Sequence, residues 1–336
     1  MPNHPKITVI TPSFNQGKFI GDTIRSVVEQ GYPNLEYIVM DGGSTDETVE
    51  VIKQFEDKIS YWESVPDKGQ TDAINKGLKR ATGEVFNWLN SDDIYHENSL
   101  FRIGEAFRDE TINVVLGNCV FFENETGKDL DLYSITRCKE TVERTLAEMV
   151  MGQPGHFYRM SVIDQLGRQL EASFRYSMDM ELWYRYLHDY GLNHIKTIDD
   201  IICHFRWHAD SKTIAEGPEF KKDDNAIMFT MLQQCDAPQE LLDYHDSPRT
   251  MEYDRKWSFR QVDRHKLIAF VANNLAMLHY SAHRYDQAAS CISIAKNYGY
   301  PADLNFQVRY HAQTKLPAGF LEWVRKLKSG SKSGTA

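Results

Sequence analysis

The chain has 336 residues, 41% of them hydrophobic and 26% charged, with a formal net charge of −10. This composition belongs to a folded globular protein with room for one large domain and a smaller one. The acidic balance counts against nucleic acid as a partner, because phosphate binding needs a basic surface. Five scattered cysteines, Cys119, Cys138, Cys203, Cys235 and Cys291, form no Cys-x-x-Cys pair. They read as reduced thiols of a cytoplasmic protein, not as a disulfide or zinc framework. No apolar run approaches the ~20 residues of a spanning helix, and the N-terminus is no signal peptide.

Lys6–Pro12 reads as a first strand, and Ile20, Ile24, Val27 and Val28 then recur at helical spacing over Gly17–Gln30. Pro33-Asn34 turns the chain into a second strand, Leu35–Met40, which ends at Asp41-Gly42-Gly43-Ser44. Ser44 with Glu47 forms a capping-box pattern, opening a helix that carries Val49, Ile52 and Phe55. A third strand near Ile59–Val65 leads through Asp67-Lys68-Gly69-Gln70 to a helix with Ile74, Leu78 and Ala81. Strand and helix alternate throughout, which implies an α/β fold with a mostly parallel sheet flanked by helices.

The next strand, within Gly83–Asp93, packs Val85, Phe86, Trp88 and Leu89 and stops at two adjacent carboxylates, Asp92 and Asp93. Open α/β sheets bind ligands just past the carboxyl ends of their strands. Adjacent carboxylates repel unless a cation lies between them, and a divalent metal carrying a diphosphate meets that need. The competing reading is an acidic helix cap.

Six stretches in register resemble the family 2 glycosyltransferases of the GT-A fold. They are Thr11–Asn15, Met40–Asp46, Asp67–Gly77, Leu89–Asp93, Tyr176–Trp183 and Phe205–Lys212. The resemblance covers roughly residues 5 to 215 and implies a nucleotide-sugar donor and a Mn²⁺ or Mg²⁺ cofactor. It implies further that Asp92 and Asp93 divide metal binding and ribose or sugar contact between them. Asn90 stands where an aspartate is common, so a strict Asp-x-Asp pattern is absent; Asn90 and Ser91 remain donor contacts. By the same resemblance Asp41 meets the nucleotide base, and Thr11, Pro12 and Ser13 line its pocket. Lys68 faces the base or phosphates. His208 is a third metal ligand or a diphosphate donor, and Lys212 completes the charge clamp. Gln153 and His156 face the sugar and acceptor. Asp179 aligns with the family's catalytic aspartate, which implies a general base and inversion at the anomeric carbon.

Plainer readings stand beside these: Asp179 as a cap of a helix over Met180–Tyr190, Glu181 as a structural acid, Asp41 as an Asp-Gly turn, His208 as a packed ring. A nucleotidyltransferase would offer a related acidic sheet, yet Thr11–Gly17 holds a single glycine where a phosphate loop would need more. A non-catalytic binding protein would not need Asp92, Asp93 and Asp179 together.

The expected domains are a glycosyltransferase part over 1–215, with its donor half near 1–115 and its acceptor half near 116–215, and an all-helical extension over 216–328. Leu278–Pro301 resembles one tetratricopeptide-type helix pair, too little for a free-standing array, which needs about 3 repeats. A last helix, Ala318–Lys328, sets Phe320, Leu321, Val324 and Leu327 beside Arg325, Lys326 and Lys328. It is expected to dock on protein or to touch an anionic membrane surface at the inner face, where a glycan or lipid-linked glycan acceptor waits. Residues 329–336 read as a disordered tail. Donor sugar, acceptor, linkage and oligomeric state carry no signal in the chain.

Overall fold

The structure is a computed structural model that describes residues 4–134, 136–208, 211–212, 216–245, 253 and 255–322. The chain divides into two compact units. One comprises Met1–Cys138, Val150–Tyr186 and Leu192–Asp224, the other Lys139–Met149, Leu187–Gly191 and Asn225–Ala336.

The first unit is built on one sheet. Its strands are β1 (Ile7–Ser13), β2 (Leu35–Asp41), β3 (Tyr61–Ser64), β4 (Val85–Trp88), β5 (Ile94–Tyr95), β6 (Val114–Glu123), β7 (Asp129–Ser134), β8 (His156–Arg159) and β9 (Ile195–Trp207). They lie in the order β3-β2-β1-β4-β8-β6-β9-β5, with β7 paired to β6. Neighbours among β1 to β4 are parallel. β8 is antiparallel to both β4 and β6, so β6 and its parallel neighbour β9 run the same way as β1–β4. The helices of the N-terminal half are α1 (Ile20–Val28), α2 (Thr48–Lys53), α3 (Gln70–Arg80) and α4 (Ser99–Ala106).

Alternation along β1 decides what each face packs. Ile7 and Val9 join Ile20, Ile24 and Val27 of α1 and Leu100 and Ile103 of α4 in one buried cluster. Ile10 points the other way, to α3, where a Cβ at Gly77 would stand 2.8 Å from Ile10 Cγ2. Glycine is therefore what lets α3 approach β1. Gly77→Val is expected to cost ~1–3 kcal/mol through overpacking, read as a lower urea midpoint with an unchanged slope.

Two expected helix starts differ from those observed. The Ser44–Glu47 capping box does not form: Ser44 Oγ donates to Asp41 Oδ1 instead, and Asp46 Oδ1 accepts from the Thr48 N–H (3.0 Å). Asp41 sits closer to Ser44 and captures its hydroxyl, so the helix begins later, at Thr48. After α5 (Val142–Ala147) and α6 (Met160–Gln165), helix α7 (Met178–Tyr190) begins before Met180, which puts Asp179 inside its first turn. The carboxylate satisfying the donors ahead of that turn is Asp223 of α8 (Gly217–Gln234), which accepts from the N–H of Tyr176 (2.8 Å) and of Ser177 (3.3 Å). Glu181 is fully buried and pairs with Arg185 at 2.8 Å. Arg185 also donates to the carbonyls of Leu166 and Gln169, which makes Glu181 structural.

The second unit is helical. It holds α5, α9 (Gln239–Tyr244), α10 (Arg264–Ser281), α11 (Tyr285–Asn297) and α12 (Leu304–Lys315). Asp263 caps α10 by accepting from His265 and Lys266, and Asp303 caps α12 by accepting from Phe306. The α10–α11 hairpin coincides with the tetratricopeptide-type pattern. Ala288 and Ala295 are buried there, while Leu278 is exposed. Asn274 of α10 donates to the Ala147 carbonyl of α5 (2.6 Å). Residues 318–322 are helical; Val324, Arg325, Lys326, Leu327, Lys328 and the expected tail lie outside the described residues. No helix among the described residues is long and apolar enough to cross a membrane.

Candidate active site

The parallel strands β1, β2 and β3 end level with one another, with Ser13 opposite Asp41 and Asp41 opposite Ser64. Their carboxyl ends deliver Thr11, Pro12, Ser13 and Asp41 to one edge. Tyr37 donates to Thr11 Oγ1 (3.0 Å), whereas Ser13 Oγ is buried without a partner. Asp41 is saturated: besides the Ser44 hydroxyl it accepts from the N–H groups of Gly43 and Ser44 and from Ser64 Oγ (2.6 Å). Lys68 is exposed on the loop that precedes α3.

The turn after β4 treats its two carboxylates differently. Asp92 Oδ2 lies 3.2 Å from His208 Nε2, and the other ring nitrogen of His208 is buried without a partner. Asp93 is turned inward, 1% exposed. It accepts from the Arg206 N–H (3.1 Å) and from Asn90 Nδ2 (3.3 Å). Burial, then the neighbouring Asp92, pushes the Asp93 carboxyl well above the usual range. The expected three-ligand set of Asp92, Asp93 and His208 is thus not assembled. No group of three His, Cys, Asp or Glu side chains converges on a metal position among the described residues. Two donors fit a cation that takes its other ligands from diphosphate and water, as Mg²⁺ commonly does.

Gln70, which sequence reasoning gave no role, ties the site together. Its Nε2 donates to Asn90 Oδ1 (2.7 Å), and its Oε1 accepts from Lys212 Nζ (2.7 Å). Lys212 is brought within electrostatic reach of Asp92; its pKa is lowered by burial first and then by Arg175. Ser91 is buried in the same turn.

Asp179 stands in a separate cluster of carboxylates on α7 and α8. Burial, assisted by Asp224, pushes its carboxyl up to about 6. Asp224, also raised to about 6 by burial first, accepts from Ser177 Oγ (2.6 Å). Asp223 and Asp224 lie on a helix outside the recognised motifs, so nothing in the chain marked them.

Gln153 and His156, expected to face the sugar and acceptor, are both buried. Gln153 is buried, and its amide donates to the Trp88 carbonyl (2.9 Å). His156 is fully buried, bonded to Thr136 and packed edge-on to Trp183; burial holds its ring pKa down at about 3. The reason is topological: the segment feeds β8, which inserts between β4 and β6.

The description "Glycosyl transferase family 2" matches residues 8–167. An uncharacterized glycosyltransferase of Rickettsia typhi is 27% identical over 193 residues, 54% of this chain and 59% of that relative. The chain therefore spans less than two thirds of that relative's length. The putative teichuronic acid biosynthesis glycosyltransferase TuaG of Bacillus subtilis is 27% identical over 220 residues, 62% of this chain and 86% of its own. Among solved structures, S. aureus TarS 1-349 in complex with UDP-GlcNAc superposes with a TM-score of 0.54 at 16% identity, covering 91% of both chains. The mannosyltransferase PcManGT of Pyrobaculum calidifontis, in complex with GDP-Man and Mn²⁺, gives 0.53 at 15% identity, over 97% of this chain and 88% of its own. Over residues 8–167 the chain is thus similar to glycosyl transferase family 2, and its strand order and structural neighbours place it on the GT-A fold.

Proposed function

We propose that the protein is a metal-dependent, inverting glycosyltransferase. It moves a sugar from a nucleoside diphosphate sugar, UDP by default, to a hydroxyl of a glycan or lipid-linked glycan. The observation that carries this reading is the convergence of Asp92, His208, Asn90, Gln70 and Lys212 past the carboxyl end of β4. The relatives support it: TuaG is named for a polysaccharide pathway, and the two structural neighbours hold a nucleotide sugar, one with Mn²⁺.

In this scheme Thr11, Pro12, Ser13, Asp41 and Lys68 receive the nucleoside, with Asn90 and Ser91 on the ribose or sugar. Asp92 and His208 hold Mn²⁺ or Mg²⁺, which when bound neutralises the departing diphosphate. Lys212, oriented by Gln70, adds a positive charge on the same phosphates. Asp93 supports the turn from beneath. Asp179 takes the proton of the acceptor hydroxyl as its oxygen bonds to the anomeric carbon and the sugar–phosphate bond breaks. A carboxyl near 6 is ionised at neutral pH yet basic enough for that transfer. The division into a glycosyltransferase domain, 1–215, and a helical region, 216–328, belongs to the same proposal.

A thermal-shift screen of UDP, GDP, dTDP and CDP with Mn²⁺, Mg²⁺ or EDTA tests the donor site. One nucleotide at ~100 times its dissociation constant is expected to stabilise the fold by about 2.7 kcal/mol, and EDTA to abolish that gain. No response to any nucleotide would refute the reading.

A further inference from the structure

Arg206 makes four hydrogen bonds around the site, yet the proposed chemistry leaves it without a role. Its side chain is almost wholly buried. Nε donates to the Asp92 carbonyl (2.8 Å), Nη1 to Asn124 Oδ1 (2.8 Å) and Nη2 to Asp22 Oδ2 (3.1 Å). Its own N–H meets Asp93 Oδ1 (3.1 Å). The guanidinium carbon lies 5.2 Å from the centre of the Phe19 ring and 4.8 Å from that of Phe122. Phe19 in turn packs against the His208 ring, with centroids 4.6 Å apart.

We propose that Arg206 and Phe19 are positioning residues that present Asp92 and His208 to the metal-bound diphosphate. The inference rests on the metal reading of that pair. Arg206 grips Asp92 through its main-chain carbonyl, so the turn is fixed while the carboxylate charge stays available to a cation. Three of its contacts come from separate elements: α1 through Asp22, the turn after β4, and the end of β6 through Asn124. A planar guanidinium reaches all three at once, and a lysine ammonium does not. Phe19 fixes the other half of the pair by covering one face of the imidazole. Partners that orient metal ligands in this way typically govern affinity by roughly 10- to 100-fold.

The test is calorimetric titration of UDP into the full chain with Mn²⁺ or with EDTA, for the wild type, Arg206→Lys and Phe19→Leu. Each variant is expected to bind UDP at least ~10-fold more weakly in Mn²⁺ and to match the wild type in EDTA. Wild-type affinity of a folded Arg206→Lys in Mn²⁺ would overturn the proposal. An equal loss in both buffers would also overturn it, since the residue would then shape the nucleotide pocket or the fold at large. If Arg206→Lys does not fold, Phe19→Leu decides by the same criteria. A wild type whose UDP affinity ignores Mn²⁺ would instead sink the metal reading beneath, and this inference with it.

Discussion

Replacing Asp179 with Asn is expected to cut sugar transfer by ~10²-fold or more while leaving nucleotide binding within about a factor of two, because a general base acts on the acceptor and not on the donor. The same substitution is expected to raise the melting temperature at about pH 8. Burial lifts the folded carboxyl to about 6 from its ordinary 3.8, so between those values the folded state binds more protons than the unfolded one. Stability therefore falls as pH rises through that window and stays lower above it. Asparagine carries no charge and escapes the loss, and below about pH 4 the two proteins should melt alike. For the wild type, kcat/KM should decline below about pH 6 as the base is protonated. Initial rates and melting curves across pH check both halves. Normal turnover by the variant would remove Asp179 from the reaction, and a lower melting temperature at about pH 8 would contradict its burial as an acid.

Asp92→Asn is expected to abolish the Mn²⁺-dependent part of nucleotide binding and to slow transfer by ~10²- to 10³-fold. A cation on the leaving diphosphate supplies several kcal/mol, and each ~1.4 kcal/mol is a factor of ten. The asparagine keeps the shape of the turn and its carbonyl contact with Arg206, so the fold should hold. Asp93→Asn offers the contrast. Asp93 faces inward to Arg206 and Asn90, so nucleotide binding should keep its response to Mn²⁺. Calorimetry of both variants, with and without EDTA, separates the two aspartates. Equal loss in both would return Asp93 to the metal.

The sequence by itself determined the frame. Apolar alternation in β1, β2 and β4 and helical spacing in α1 and α3 report which side of each element is buried, a local property that a single chain displays. The same patterning put Asp92 and Asp93 just past the carboxyl end of β4, and the order of motifs gave the resemblance to the family. The tertiary structure decided what each acid does. Asp92 and Asp93 are chemically identical neighbours, and only the return of β9 makes one a partner of His208 and the other a buried acceptor for Arg206. Gln70 and Arg206 stood inside recognised motifs, but their partners lie far along the chain, at Asn90, Lys212, Asp22 and Asn124. Asp223 and Asp224 reach the start of α7 from another helix, and the raised acidity range of Asp179 follows from that packing. Gln153 and His156 are buried because their segment inserts between β4 and β6, a placement that no local pattern displays. Burial and charge pairing are set by contacts between distant segments, and those contacts are what a linear pattern does not record.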